Sequence, residues 1–553
     1  MLSRFKSALM NAVGASELGL QYNNESDNDL GTNYMTSNVV IEAKPYSRPS
    51  FLGLTNEEMQ VSADHRVRPI IVPRDLSRLP WCAGYAECIN AGKSTWNEDQ
   101  ASAVRGDLKI PDSDIALPYI MFSMFDGHAG YLVALTARLH LHRIILEKLK
   151  AIPETMLLNE SEENFVKGRD LVIGAIEMAY RQMDQMVEFQ ALLGGGGCTA
   201  LTILFLNGRL YSAGAGDSRF ILCRNCQRPL TRDHTPDSES NRVRALGSLK
   251  GGELLQGHFT PLEFRKRPLQ RELGSMVLYR EPFMTGWAYK VLTHPDLRLP
   301  LISGHGKRSR VMGTIGVTRG FGDHGLKAAN TGVSIKPFLS SQPEVQSLNF
   351  EEYDLTERDC VVIATDGLWD VVSDKEAGNR RVYRSFAFTY SRRLTMAAQE
   401  LVQAARGRLI GRIWRGKPEN PDENDEKYLP MASVDDISVM VVPLYPYLCE
   451  HRQWLKSTQQ DATNNFFKTL IASVIQSEQK NINQIREKTT SSKCRIVQLI
   501  FRHTLGRKRK VGVTLLPAPL ATPLIRLCVT LIYGIFLLFI SYQRVSTANI
   551  FYP

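Results

Sequence analysis

Acidic residues recur where apolar runs stop. "PYIMFSMFDGHAG" closes a strand-forming run on Asp126, Gly127 and His128, and "CVVIATDGLWDVV" closes another on Asp366 and Gly367, with Asp370 one turn further on. "YSAGAGDSRFIL" sets Asp217 between two strand-like runs, and "ASVDDISVMVV" sets Asp435 and Asp436 just before one. A single Asp at a strand end is ordinary turn chemistry. Four such corners, with glycines that let a backbone oxygen or a ligand come close, point to one shared cluster. Carboxylates gathered in a cleft repel one another unless cations lie between them. Hard oxygen ligands without a Cys/His set favour Mg²⁺ or Mn²⁺ over Zn²⁺. Two such ions can share a water, lower its pKa and hold a phosphoryl group for in-line attack.

The elements that must position these corners are legible from periodicity. After His128, apolar residues at helical spacing run from Leu132 to Leu149, and a second run goes from Val172 to Val187. Two β-rich runs flank Asn207-Gly208, a two-residue hairpin signal, and Phe220–Leu222, Cys360–Thr365 and Ile437–Val442 read as further strands. Strand pairs joined by hairpins and interrupted by long helices argue for an α+β layered domain rather than regular βαβ alternation. Globular text begins past about Ile70 and ends near Pro443. Residues 247–310, with eleven Lys/Arg against five acids from Lys250 to Arg310, read as a basic, aromatic insertion on the surface of the domain.

The ends differ in character. Residues 1–67 read as mostly disordered, with Leu2, Phe5, Leu9 and Val13 on one face of a short amphipathic helix over 1–13 suited to a membrane surface. Residues 446–523 read as a basic polar linker. Between Glu478 and Lys510, ten Lys/Arg face two acids, which suits anionic lipid better than nucleic acid, since no nucleic-acid-binding pattern accompanies them. Residues 524–543 read as a tail anchor. Its sixteen uncharged residues from Leu527 to Tyr542 reach about 24 Å against a hydrocarbon core of about 30 Å, a gap that snorkelling Arg526 and Arg544 can close. Upstream "RKRK" at 507–510 favours a cytosolic catalytic domain. Nine scattered cysteines make no disulfide framework, and without a secretory leader the expected setting is the reducing cytoplasm.

Seven motifs in order, "NEDQA", "FDGHAG", "GGCTALT…YSAGAGDSR", "LTRDHTP", "GVTRGFGD", "ATDGLWDVV" and "DDISVMVV", make residues 68–445 resemble the metal-dependent serine/threonine protein phosphatases of the PPM (type 2C) family. The chain is most similar to the branch containing the H, J and M members. The resemblance implies two packed antiparallel β-sheets (a β-sandwich) flanked by α-helices, with metals at one end and the insertion as a flap. It implies that Asp126 bridges two Mn²⁺ or Mg²⁺ ions, that the Gly127 carbonyl ligates one, and that Asp366 and Asp435 hold the other. Glu98 and Asp99 act mostly through metal-bound waters, while Asp217 and Asp370, with Asp366, form a weaker third site. A water between the metals attacks phosphorus directly, and His128 protonates the leaving oxygen. The implied partners are phosphorylated proteins, small GTPases among them.

One position departs from the family. The arginine that often holds phosphate is replaced by Ser94, and the adjacent Lys93 supplies charge without the bidentate fork. That gap keeps a second reading alive, a weak or inactive phosphatase-like binding protein. The Cys226/Arg232 spacing of a thiolate phosphatase is rejected, because its loop holds Arg228 and Pro229 and no glycine. His234 reads as a structural turn histidine, and Arg319 and Asp323 as residues that position a loop.

Overall fold

Alternation along the strands decides the architecture. The computed structural model describes residues 45–110, 115–158, 166–190, 196–224, 227–378, 392–416 and 429–488. The strands used below are β1 (Gly84–Cys88), β2 (Gln100–Lys109), β3 (Ala116–Phe125), β4 (Gly127–His128), β5 (Gly197–Cys198), β6 (Ala200–Leu206), β7 (Arg209–Ala215), β8 (Arg219–Cys223) and β9 (Gln227–Pro229). They continue with β10 (Phe321–Gly322), β11 (Glu344–Asn349), β12 (Cys360–Ala364) and β13 (Ile437–Pro443). Two five-stranded antiparallel sheets form, in the orders β1-β13-β12-β8-β9 and β11-β7-β6-β3-β2. A three-stranded ribbon runs β10-β5-β4.

Side chains of period two divide each sheet between two cores. In β3, Ile120, Phe122 and Met124 join Leu201, Ile203 and Phe205 of β6 in one hydrophobic cluster. That cluster also takes Tyr85, Phe220, Leu222, Val361, Ile363, Met440 and Val442 from the other sheet. The opposite parity of β3, Leu117, Tyr119 and Met121, packs with two helices, α1 (Leu132–Lys150) and α2 (Gly168–Gln190). The remaining face of the first sheet, with Ile221, Val362, Val439 and Val441, packs on α3 (Arg393–Arg406) through Leu394, Ala398, Leu401 and Val402. Each fully buried Phe, such as Phe122, Phe205 and Phe220, contributes about 1.5–3 kcal/mol by leaving water. Asn207 and Gly208, with φ of 45° and 71°, make the hairpin turn between β6 and β7 that their types demand.

Two boundaries differ from the sequence reading. Residues 1–67 read as mostly disordered, yet chain from residue 45 onward is packed. The Arg48 guanidinium is buried, donating to both carboxylate oxygens of buried Glu87 at 2.8 and 2.5 Å, and Phe51 and Leu52 enter the core between the sheets. The polar composition of the segment hid one arginine with a buried acid to meet. At the other end, the linker expected from 446 begins as a helix, α4 (Tyr445–Lys488). Tyr447 and Leu448 complete the between-sheet core, the Tyr447 hydroxyl accepts from the Gly208 N–H at 2.9 Å, and the Trp454 indole donates to the Ala116 carbonyl at 3.1 Å.

The chain divides into two units, residues 1–459 and 460–553. In the second, Ile471, Val474 and Ile475 stand exposed on the helix. The expected helix over 1–13, the "RKRK" tract and the apolar stretch 524–543 lie outside the described residues. No helix among the described residues is long and apolar enough to cross a membrane. Residues 247–310 form small sheets of their own, including an antiparallel one of Glu263–Phe264, Met276–Arg280 and Ala288–Val291. They rest on a separate core containing Leu255, Phe259, Leu301 and Val311, and they expose Met276, Phe283, Trp287, Tyr289 and Val291.

Candidate active site

The acids arrive from strand ends. Asp126 follows the last residue of β3, Asp217 lies in the turn between β7 and β8, and Asp366 opens a single helical turn after β12. One carboxylate oxygen from each lies within 4.8 Å of the other two, a spacing that suits a shared cation. Asp126 is held in place by its neighbours. Its Oδ2 accepts from the Ser218 hydroxyl and the Asp366 N–H, both at 3.3 Å, and its own N–H donates to the Thr199 hydroxyl at 3.3 Å.

Both glycines of the "DG" corners are demanded by close approach. A Cβ at Gly127 would overlap the Glu98 carbonyl, and one at Gly367 would overlap the Asp436 carbonyl. These contacts draw the loop before β2 and the loop before β13 against the strand ends. Asp436 ties the two loops together, accepting from the Asn90 N–H at 2.7 Å, the Asn90 amide at 3.0 Å and the Glu98 N–H at 3.1 Å. Glu98 in turn accepts from the Gly130 N–H at 3.0 Å, and buried Asp99 accepts from the Thr365 hydroxyl at 3.0 Å.

Electrostatics follow from burial without a balancing charge. Asp126, Asp366 and Asp99 are raised well above the usual carboxylate range by burial and by one another or neighbouring acids. Burial, with the like charge of Asp436, lifts Glu98 to about 7; burial with Asp233 lifts Asp217 to about 7. Such a set binds protons or metal ions at neutral pH, not nothing. The donors are all carboxylate oxygens, which fits a hard divalent ion.

Other expected residues lie at the rim. Lys93 ion-pairs with the Asp435 carboxylate, which points that acid at an ammonium. Ser94 takes the Asn90 amide hydrogen bond at 2.9 Å, so the usual phosphate-arginine position serves a loop here. Asp370 is half exposed and meets Lys307, from the end of the insertion, at 2.7 Å; the same ammonium donates to the Trp369 carbonyl at 3.1 Å. His234 is buried between Gly216 and Glu344, as a structural turn histidine should be.

The reading of "VTRGFGD" divides. Arg319 does position a loop, through buried Glu239 at 2.6 Å. Asp323 instead meets His128, with its Oδ2 2.7 Å from the imidazole Nε2. Burial pushes the imidazole down, but Asp323 and Glu98 outweigh it and carry it up to about 9. Sequence reasoning missed this contact, as it missed Arg48, whose Nη1 donates to the Asn97 carbonyl at 3.1 Å and braces the acidic loop.

With that geometry in hand, known proteins supply the lineage. The protein phosphatase 2C family model matches residues 107–253 and 301–409, breaking off inside the insertion. Protein phosphatase 1H of Rattus norvegicus is 38% identical over 524 residues, covering 80% of this chain and 99% of the relative. The chain belongs to the protein phosphatase 2C family. Protein phosphatase 1J of Homo sapiens is 40% identical over 459 residues, covering 75% of this chain and 89% of the relative. These relatives place the chain in the H and J branch of that family, as a metal-dependent serine/threonine protein phosphatase.

Proposed function

We propose that this phosphatase uses Mg²⁺ or Mn²⁺ at two sites held by Asp126, Asp366, Asp435, the Gly127 carbonyl and, through water, Glu98 and Asp99, with Asp217 and Asp370 joining Asp366 in a weaker third. The observation that carries the proposal is three half-buried carboxylates drawn together, with no ion pair to a basic side chain at any of them among the described residues. Divalent ions there would offset that charge, polarise a phosphoryl oxygen and acidify water enough to attack phosphorus at neutral pH. Asp126 is kept on station by Ser218, Thr199 and the Asp366 N–H. His128, 36% exposed, gives a proton to the departing serine or threonine oxygen. Lys93 lies on Asp435 at the rim, where an incoming phosphate can share its ammonium. The fold this supports is a sandwich of packed sheets with the metals at one end. On it the insertion is a flap whose exposed Phe283, Trp287 and Tyr289 select phosphoproteins, small GTPases being the first to try. Attachment of the cytosolic enzyme to a membrane through residues 524–543 belongs to the same proposal.

Asp126→Ala tests the centre. Phosphopeptide hydrolysis in Mn²⁺ should fall by about 10³-fold or more, and calorimetric Mn²⁺ binding should weaken with it. Either property surviving intact sinks the assignment.

A further inference from the structure

Asp323 sits in an unusual place for a residue that only shapes a turn. A turn Asp ordinarily bonds backbone N–H groups within two residues of itself. Here the carboxylate's hydrogen-bonding partner among the described residues is the His128 imidazole, 195 residues away in the chain. Asp323 is 5% exposed on its side chain and His128 is 36% exposed, so the imidazole stands between a buried acid and the cleft.

The ribbon explains how the pair is aligned. In register, Gly127 pairs with Cys198 and Cys198 with Phe321, while His128 pairs with Gly197 and Gly197 with Gly322. The histidine and the residue just before Asp323 are therefore carried on the outer strands, with Gly197 between them. A Cβ at Gly197 would overlap the Asp323 carboxylate, so the bare glycine makes the space in which the acid reaches across. The backbone is pinned on both sides. The Asp323 N–H donates to the Gly196 carbonyl at 2.8 Å, and the Gly322 N–H donates to the Asp184 carboxylate at 2.9 Å. Asp184 is itself held by Lys336 at 2.5 Å and His324 at 3.1 Å. Asp323 adopts φ 55°, a left-handed conformation that Asp tolerates better than most side chains.

We infer that Asp323 is the positioning residue of the leaving-group step, fixing His128 so that Nδ1 is the nitrogen that gives its proton to the departing serine or threonine oxygen. The inference rests on His128 being the proton donor. Nε2–H is committed to Asp323, and Nδ1 has no hydrogen-bond partner among the described residues. As the P–O bond breaks, its electron pair stays on the departing oxygen. The Nδ1–H bond breaks and an O–H bond forms there. Nε2–H remains on the ring facing Asp323, leaving a neutral imidazole. The arrangement parallels the aspartate that orients the histidine in a hydrolytic triad.

Leaving groups separate this role from a structural one. A phosphoserine peptide departs as a strongly basic alkoxide and needs the acid, whereas p-nitrophenyl phosphate departs as a stable phenolate and needs it little. Asp323→Asn keeps the left-handed backbone and removes the charge; Asp323→Gly keeps it and removes the side chain. Both should lose about 10- to 100-fold in kcat on the peptide, a share of the ~10²–10⁴-fold a positioned acid supplies, and under about threefold on the aryl ester. Added to His128→Ala, neither should cause further loss on the peptide. Equal losses on both esters, or a further loss on top of His128→Ala, overturn the inference. His128→Ala distinguishes the failures. If it also loses equally on both esters, the proton-donor reading falls and takes the inference with it. If it shows the split and the Asp323 variants do not, the inference alone falls.

Discussion

Two sets of carboxylates in this domain are treated oppositely by the chain. Glu239 is gripped by Arg319 and Arg242, which overcome the effect of burial and hold it down to about 2. Asp184, with Lys336 and His324 against it, is likewise held low despite burial. Asp126, Asp217 and Asp366 are only half-buried, but meet one another, and all three are pushed up. A buried charge is normally paired or neutralised. Where the carboxylates are structural, the chain brings its own cation. Where the proposed metal site lies, no such partner is supplied among the described residues. Lys307 on Asp370 stands between the two cases, an internal ammonium at the outermost acid.

Breaking the internally paired set should have the largest effect. Arg319→Ala strands Glu239 with a single arginine, and should cost about 3–5 kcal/mol of unfolding free energy. Urea denaturation measures it, and a loss below about 1 kcal/mol would put the two sets on the same footing.

Removing metal should sharpen the other side. Glu98 and Asp217 are each raised to about 7, so folding takes up protons above their usual values of 4.5 and 3.8. Their contribution to metal-free stability is full at low pH and is lost as pH rises through 7. Divalent ions should therefore stabilise the fold more at pH 8 than at pH 5, by about 2–3 kcal/mol for each of the two acids, read as a larger rise in melting temperature. An increment that is flat with pH would show that these acids do not meet the ions.

The smallest effect belongs to the intermediate pair. Lys307 and Asp370 are 57% and 52% exposed, and Lys307→Ala should change stability by less than about 1 kcal/mol. A larger loss in the same urea titration would move Asp370 into the internally paired set.

Much of the site was legible because its acids stand at the ends of strands that apolar runs announce. Asp126 and Asp366 needed no structure to be found, only the repetition of their setting. The positions of Gly127 and Gly367 were equally plain, but not their reason. They admit neighbouring loops, the Glu98 and Asp436 carbonyls in particular, as well as exposing their own backbone. Asp323 could not be read, since nothing in "GFGD" tells a turn former from an acid that reaches a histidine across a glycine. The register of a two-residue strand creates that contact, and strands so short leave no periodicity. Arg48 was lost for a different reason. Its surroundings are polar, and its partner Glu87 lies in a strand whose residues are all buried, where an acid gives no sign of needing a cation from upstream. The C-terminal end of the domain was placed too early, because Tyr447 and Leu448 open a long helix whose polar and apolar residues give no sign of where its packed part stops.

The order of the first sheet has a consequence for how the protein is made. Its first strand hydrogen-bonds to its last, Gly84 opposite Val441 and Cys88 opposite Ile437. Until residue 443 has left the ribosome, the strand at 84–88 waits with an open edge, and the strand at 360–364 lacks the neighbour that joins them. Open edges of this kind invite pairing with other chains. A ribosome stalled between Asp370 and Ile437 thus holds a nascent chain with most of the acids already synthesised and no finished sheet to carry them.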